Sequence, residues 1–172
     1  LIVSLGLKDG VGHFAMCQAV DKLDLASICL GYETREAAKS QVAKRLKDHN
    51  DAHFDHISQL FALPVEAALG RIGDGRVDLC LIEIPETIED IERLITSVPP
   101  KMSSGGIVAL HGTGRGQAAL HLRNAFAKLS TQSNVLDFEA GDGLSIAVLG
   151  TDPPRAPQGC SSSCAAGNLA MG

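Results

Sequence analysis

At 172 residues the chain is long enough for one domain with its own core, and 45% hydrophobic against 20% charged residues suits a globular fold. A net charge of −5, scattered basic residues and 3% aromatics with no Trp exclude a nucleic-acid partner, which asks for clustered cations and stacking rings. No apolar stretch has the length of a bilayer-spanning helix and no leader is visible, so the expected location is cytoplasmic, with no membrane span.

The chain opens on "LIVSLG" (1–6), a continuous apolar run that predicts a strand buried on both faces. A loop with Gly10 and Gly12 leads to a helix whose apolar face is Phe14, Cys17, Ala19, Val20 and Leu23. "ASICLGY" (26–32) reads as the second strand. The Ala-, Lys- and Glu-rich segment from Thr34 to about Asp48 reads as a surface helix capped by Thr34. "HFDHISQ" (53–59) is a weaker third strand, and Pro64 suits the first turn of a short helix ending near Arg71. "RVDLCLIEI" (76–84) is the clearest buried strand, followed by a helix with Pro85 and acids in its first turn. "GGIVALHG" (105–112) is the fifth strand, and a helix over 116–129 turns Leu120, Leu122, Ala125, Phe126 and Leu129 inward. "NVLDFEA" and "LSIAVLG" close the domain as a hairpin joined by "GDG". Residues 152–172 are rich in Pro, Gly and Ser and read as a flexible tail after a 1–151 domain.

Strand-helix units ending in an antiparallel hairpin define a doubly wound, Rossmann-like α/β sheet, mostly parallel with an antiparallel C-terminal strand. Ligands of such sheets bind at the carboxyl ends of the strands, where strand order switches. That selects the loops 6–12, 31–34, 83–87 and 111–116. Gly6, Gly10 and Gly12 allow close backbone approach beside a helix N-terminus, though the same pattern also makes a plain tight turn. Glu33 has two readings, a ribose-binding acid or an acid starting the helix at Thr34. Glu83 ends a buried strand and points to the crevice, whereas Glu86 and Glu89 read as first-turn helix acids. His111 ends another strand and is a base or a structural histidine; Thr113 is a candidate cap, and Arg115 is read as solvated.

His49, His53 and His56 would share a helix face as a metal patch does, but the stretch reads better as a loop into an edge strand, and no metal site is expected. Cys17, Cys29 and Cys80 read as small buried hydrophobes. Cys160 and Cys164 form C-x-x-x-C in the tail, with no neighbouring His or second Cys pair to complete a ligand set.

Over residues 1–151 the chain resembles class I S-adenosylmethionine-dependent methyltransferases, in particular the small-domain group found beside glycosyltransferases in surface-polysaccharide systems. "SLGLKDGVGHFAMCQAV" resembles that group's Glu-(Ile/Leu)-Gly-x-x-x-Gly-Val-Ser opening and its helix. "FDHISQLFALPVEAALGRIGDGRVDLCLIEI" resembles the segment into its fourth strand. "PPKMSSGGIVALHGT" resembles its strand ending His-Asp-Thr, and "FEAGDGLSIAVLG" its closing hairpin. The resemblance implies S-adenosylmethionine as cofactor, held by Gly6, Gly10, Gly12, Glu33 and Glu83, and a sugar or other small acceptor, with Glu83 and His111 as the candidate catalytic residues.

The departures fall on the chemistry. Ser4 replaces the opening acid, Gly31 stands where the acid at the end of strand two is expected, and Gly112 replaces the acid of His-Asp-Thr. Where the group has His-Ile-Asp-Gly this chain has Leu81-Ile82-Glu83-Ile84, and Glu86 stands for a further His. Each charge-assisted hydrogen bond lost is worth about 1.5–3 kcal/mol, so two such losses weaken binding by roughly a hundredfold or more. Two functions therefore stand side by side. One is a methyltransferase with a weakened cofactor site. The other is a non-catalytic scaffold or protein-interaction domain of a larger, glycosyltransferase-associated protein. A nicotinamide oxidoreductase is disfavoured, because Gly6, Gly10 and Gly12 lack the G-x-G-x-x-G spacing.

Overall fold

The computed structural model describes residues 1–33, 37–83, 88–114, 116–129, 135–139 and 141–149. Thr34, Glu86 and Arg115, as well as Cys160 and Cys164 with the whole 152–172 segment, lie outside the described residues.

Strands β1 (Ile2–Leu5), β2 (Cys29–Glu33), β3 (Ser58–Ala62), β4 (Val77–Glu83), β5 (Met102–His111), β6 (Leu136–Phe138) and β7 (Leu144–Val148) form one sheet in the order β3-β2-β1-β4-β5-β7-β6. The first five strands run parallel, and β7 is antiparallel to both β5 and β6. This is the predicted doubly wound architecture. Strand order reverses between β1 and β4, which puts the crevice at Gly6 and Glu83.

Helices α1 (Val11–Lys22), α2 (Gln41–His53), α3 (Val65–Leu69), α4 (Ile88–Ser97) and α5 (Gln117–Leu129) fill the crossovers. The larger core cluster joins Val3, Ile82, Ile91, Leu110, Leu122 and Phe126, and a smaller one joins Cys17, Val20 and Cys29. Buried faces differ from the expected ones at three residues, of which Ala19 on α1 is exposed. Leu23 is 67% exposed and Leu120 is 44% exposed, because His13, Cys17 and Val20 face inward on α1, and Ala119, Leu122 and Phe126 on α5. Cys17, Cys29 and Cys80 are buried free thiols, and burial pushes the Cys80 thiol up to about 12. No helix among the described residues is long and apolar enough to cross a membrane.

Several boundaries moved from their expected places. α2 starts at Gln41 after a single 3-10 turn, because the Ser40 hydroxyl accepts the Ala43 N–H at 3.0 Å and caps it. It then runs on to His53, since Leu46 and Asn50 continue its buried face, so β3 begins at Ser58 and not at His53. β5 begins three residues early, at Met102, and absorbs the extra chain in a bulge where Gly105 takes φ +77° and the register with β4 shifts.

The C-terminal hairpin is tied to α5 by Arg123, whose Nε donates to Asp137 Oδ1 at 2.8 Å, while the Ser145 hydroxyl donates to the same oxygen at 2.5 Å. The Arg123 guanidinium, more than Ser145, holds the Asp137 carboxyl down at about 2. A carboxyl lowered in the folded state stabilises above its unfolded value, near 3.9, and that contribution is lost as pH falls toward 2. Arg123→Gln should therefore lose less thermal stability than the parent chain between pH 4 and pH 2, as measured by melting curves across that range. Equal acid sensitivity of the two chains would refute the assignment.

Candidate active site

The crevice is built by the glycine loop after β1. Gly6 takes φ +79°, and a Cβ there would sit 2.9 Å from the Glu83 Cβ, so only glycine lets β4 come this close. Gly6 N–H donates to the Tyr32 carbonyl at 2.9 Å. Gly10 is also left-handed, at φ +81°, but it faces Leu46 and Phe14, and its role is to let α1 meet α2. Gly12 faces Leu81 and sits near Glu83 Oε1.

A cavity of about 290 Å³ lies at the switch point, walled by Leu5, Tyr32, Leu63, Val65 and Leu94, with Gly6, Lys8, Glu33 and Glu83 on its rim and floor. Of the five residues expected to hold a cofactor, the structure brings Gly6, Glu33 and Glu83 to this cavity, while Gly10 and Gly12 stand behind it. Burial raises the Tyr32 phenol above its ordinary value. A larger space of about 850 Å³ adjoins on the α2 side, lined by Leu46, Leu60 and Phe61, and shares Lys8 and Glu33 with the first.

The acid at the end of strand two is present after all. β2 runs Cys29–Glu33, so it starts three residues later than "ASICLGY" suggested and ends one residue later, on Glu33 and not on Tyr32. Glu33 Oε2 accepts the Leu7 N–H at 2.9 Å and the Lys8 N–H at 3.3 Å, which ties the strand end to the glycine loop. Gly31 faces Leu7, Leu60 and His13 in the interior, where an acid has no outlet to the crevice.

Glu83 and His111 are register partners at the ends of β4 and β5. His111 Nδ1 lies 2.8 and 2.9 Å from the two Glu83 carboxylate oxygens. A carboxylate only accepts, so Nδ1 carries the proton and Nε2 keeps the basic lone pair. Lys8 Nζ approaches Glu83 Oε2 at 2.7 Å from the other side, and Glu83 is only 7% exposed. The result is a Lys8–Glu83–His111 row across the ends of β1, β4 and β5. Lys8 did not stand out in the sequence, because its position depends on a left-handed backbone at φ +46°, which no local pattern announces in a lysine.

The remaining candidates sit elsewhere. Ser4 is fully buried, and its hydroxyl pairs with His13 Nδ1 at 2.9 Å, while His13 Nε2 pairs with the Ser58 hydroxyl at 2.9 Å. The opening serine thus faces α1, not the cavity. Thr113 stands four residues before α5 begins and packs by Gly143, so it does not cap that helix. His49 and His53 lie on α2, not in a loop; their rings are 4.6 Å apart, and His49 packs edge-on to Phe14. His56 pairs with Asp21 at 3.3 Å.

A family model described as a methyltransferase domain matches residues 3–113, so the chain belongs to this methyltransferase family and carries the class I S-adenosylmethionine-dependent methyltransferase fold. It is 26% identical over 157 residues to an uncharacterized protein, y4gI, of Sinorhizobium fredii, a match that covers 88% of this chain. The chain spans 17% of that relative's length. Among solved structures it is similar to a putative caffeoyl-CoA O-methyltransferase from Staphylococcus aureus, with a TM-score of 0.63 and 15% identity over 87% of this chain and 75% of the other. It is also similar to the O-methyltransferase TomG from Streptomyces achromogenes, solved in complex with S-adenosylmethionine, with a TM-score of 0.60 and 13% identity over 87% and 72% of the two chains. At these identities the structural likeness speaks for the fold.

Proposed function

We propose that the domain binds S-adenosylmethionine weakly in the cavity at Gly6 and transfers its methyl group to a small hydroxyl- or amine-bearing acceptor, a sugar being the leading class. The observation that carries this reading is the meeting of a glycine loop with two strand-end carboxylates on one apolar cavity. Such a donor set fits the cofactor: Glu33 suits hydroxyl groups, Glu83 suits a cationic group, and Leu63, Val65 and Leu94 suit an aromatic base. The cofactor supplies an electrophilic methyl on a sulfonium. The chain supplies the rest: Glu83 fixes the imidazole of His111, and His111 Nε2 takes the acceptor proton.

Calorimetric titration of S-adenosylmethionine tests the reading. The parent chain should bind, and Glu33→Ala should bind about tenfold to a hundredfold more weakly, the loss of one or two charge-assisted hydrogen bonds. Absence of binding to the parent at millimolar ligand would sink it. The second reading, a non-catalytic interaction domain of a larger protein, is favoured by two observations. Both Glu83 oxygens are already paired within the chain, and the y4gI relative is far longer than the matched region.

A further inference from the structure

We propose that His49 and His53 form a chelating site for a divalent late transition metal ion of the nickel and copper class, on the outer face of α2 and apart from the cavity at Gly6. The two residues stand four apart on α2, which runs Gln41–His53, so both imidazoles rise from one helix face. Their ring centres lie 4.6 Å apart, with the planes tilted by 52°. Two imidazoles bound to one ion at a right angle put their ring centres about 4.5 Å apart, given a metal–nitrogen length of about 2.0–2.1 Å and a ring radius of about 1.2 Å. A tetrahedral angle would need about 5.2 Å. The observed spacing therefore suits the right-angle coordination of nickel or copper better than the tetrahedral coordination of zinc.

The other histidines are already engaged. His13 meets Ser4 and Ser58, His56 meets Asp21, His111 meets Glu83, and His121 meets Glu92. Among the described residues His49 and His53 have ring contacts only, and both are exposed, so each imidazole keeps a lone pair for an ion. The same contacts hold the rings in place. His49 stands edge-on to Phe14 at 4.7 Å, and the Phe54 ring lies 5.8 Å from His49 and 6.3 Å from His53. Rings already held by aromatic neighbours lose less freedom when an ion binds. No third His, Cys, Asp or Glu completes the set among the described residues, so water or another small donor fills the other positions. The open groove beside the pair, about 560 Å³ and lined by Val11, Gln18, Asp21 and Lys22, gives room for it. A bound ion staples the last turn of α2, just ahead of Ser58 where β3 begins.

Calorimetric titration of Ni²⁺ into the full chain tests the site, in a Cys160→Ser/Cys164→Ser background that takes the C-x-x-x-C thiols out of competition. One ion should bind per chain. His49→Gln and His53→Gln in that background should each weaken binding by roughly a hundredfold, because a single imidazole loses the intramolecular second contact. His56→Gln should leave the affinity unchanged. Ni²⁺ should also raise the melting temperature of the background chain and not that of His53→Gln, since the helical spacing exists only in the folded state. Both residues are exposed, so neither substitution threatens folding. Zn²⁺ should bind more weakly than Ni²⁺. A Ni²⁺ affinity in either single variant within about twofold of the background chain overturns the site, as does absence of binding to the background chain itself. Zn²⁺ bound as tightly as Ni²⁺ overturns the right-angle geometry and with it the assigned class of ion.

Discussion

Gly31→Asp, which puts back an acid where the family pattern expects one, should destabilise the domain by about 4 kcal/mol or more, a large share of the stability of an ordinary domain. Gly31 lies in the interior of β2, paired with Ser4 on one side and Leu60 on the other. A Cβ there would stand 2.7 Å from Leu60 Cδ2, 2.9 Å from Leu7 Cδ2 and 3.1 Å from His13 Cε1. Overpacking alone costs about 1–3 kcal/mol. The carboxylate adds the larger penalty, since both His13 nitrogens are engaged by Ser4 and Ser58 and neither is available to pair with it. Gly31→Ala isolates the steric part and should fall near the 1–3 kcal/mol range. Urea unfolding of the two variants beside the parent checks both values, and a Gly31→Asp chain within 1 kcal/mol of the parent would falsify the account. The same geometry explains why the chain's acid stands at Glu33, where the strand ends and the loop N–H groups are within reach.

Period and composition made the architecture legible. "LIVSLG" and "RVDLCLIEI" are apolar without interruption because their strands are central and covered on both faces. The edge strand β3 was displaced because its apolar signal is weak and the amphipathic face of α2 runs through His53. The site was half legible. Gly6 and Glu83 could be placed from the end of a buried run and the glycines after it. Glu33 was split between two roles because a single residue at the end of β2 decides whether it ends the strand or follows it. Lys8 escaped notice, since its reach to Glu83 comes from a left-handed turn and not from spacing. His13 escaped for the opposite reason: it falls on the buried face of α1 with Cys17 and Val20, where an apolar residue is the default.

His13→Leu should cost about 2–4 kcal/mol, although it replaces a buried polar side chain by an apolar one. His13 bridges β1 and β3 from α1, with Ser4 on Nδ1 and Ser58 on Nε2, all three buried. Each serine hydroxyl can donate or accept, so either imidazole tautomer is satisfied. Taking the ring away costs each serine hydroxyl its imidazole partner in the interior, at about 1–3 kcal/mol each before relaxation, with the Cys17 thiol still beside Ser58. The triple variant Ser4→Ala/His13→Leu/Ser58→Ala removes every orphan at once and should recover at least half of the loss, a coupling that denaturant unfolding of the single and triple variants measures directly. A triple variant less stable than His13→Leu by the sum of the serine effects would show that the three residues act independently. Recovery, in contrast, would assign Ser4 a structural task. The opening serine then holds α1 against the sheet just after the glycine loop, so the loop keeps its shape through a hydrogen bond on the far side of β1. The carboxylates that face the cavity are supplied separately, by the ends of β2 and β4.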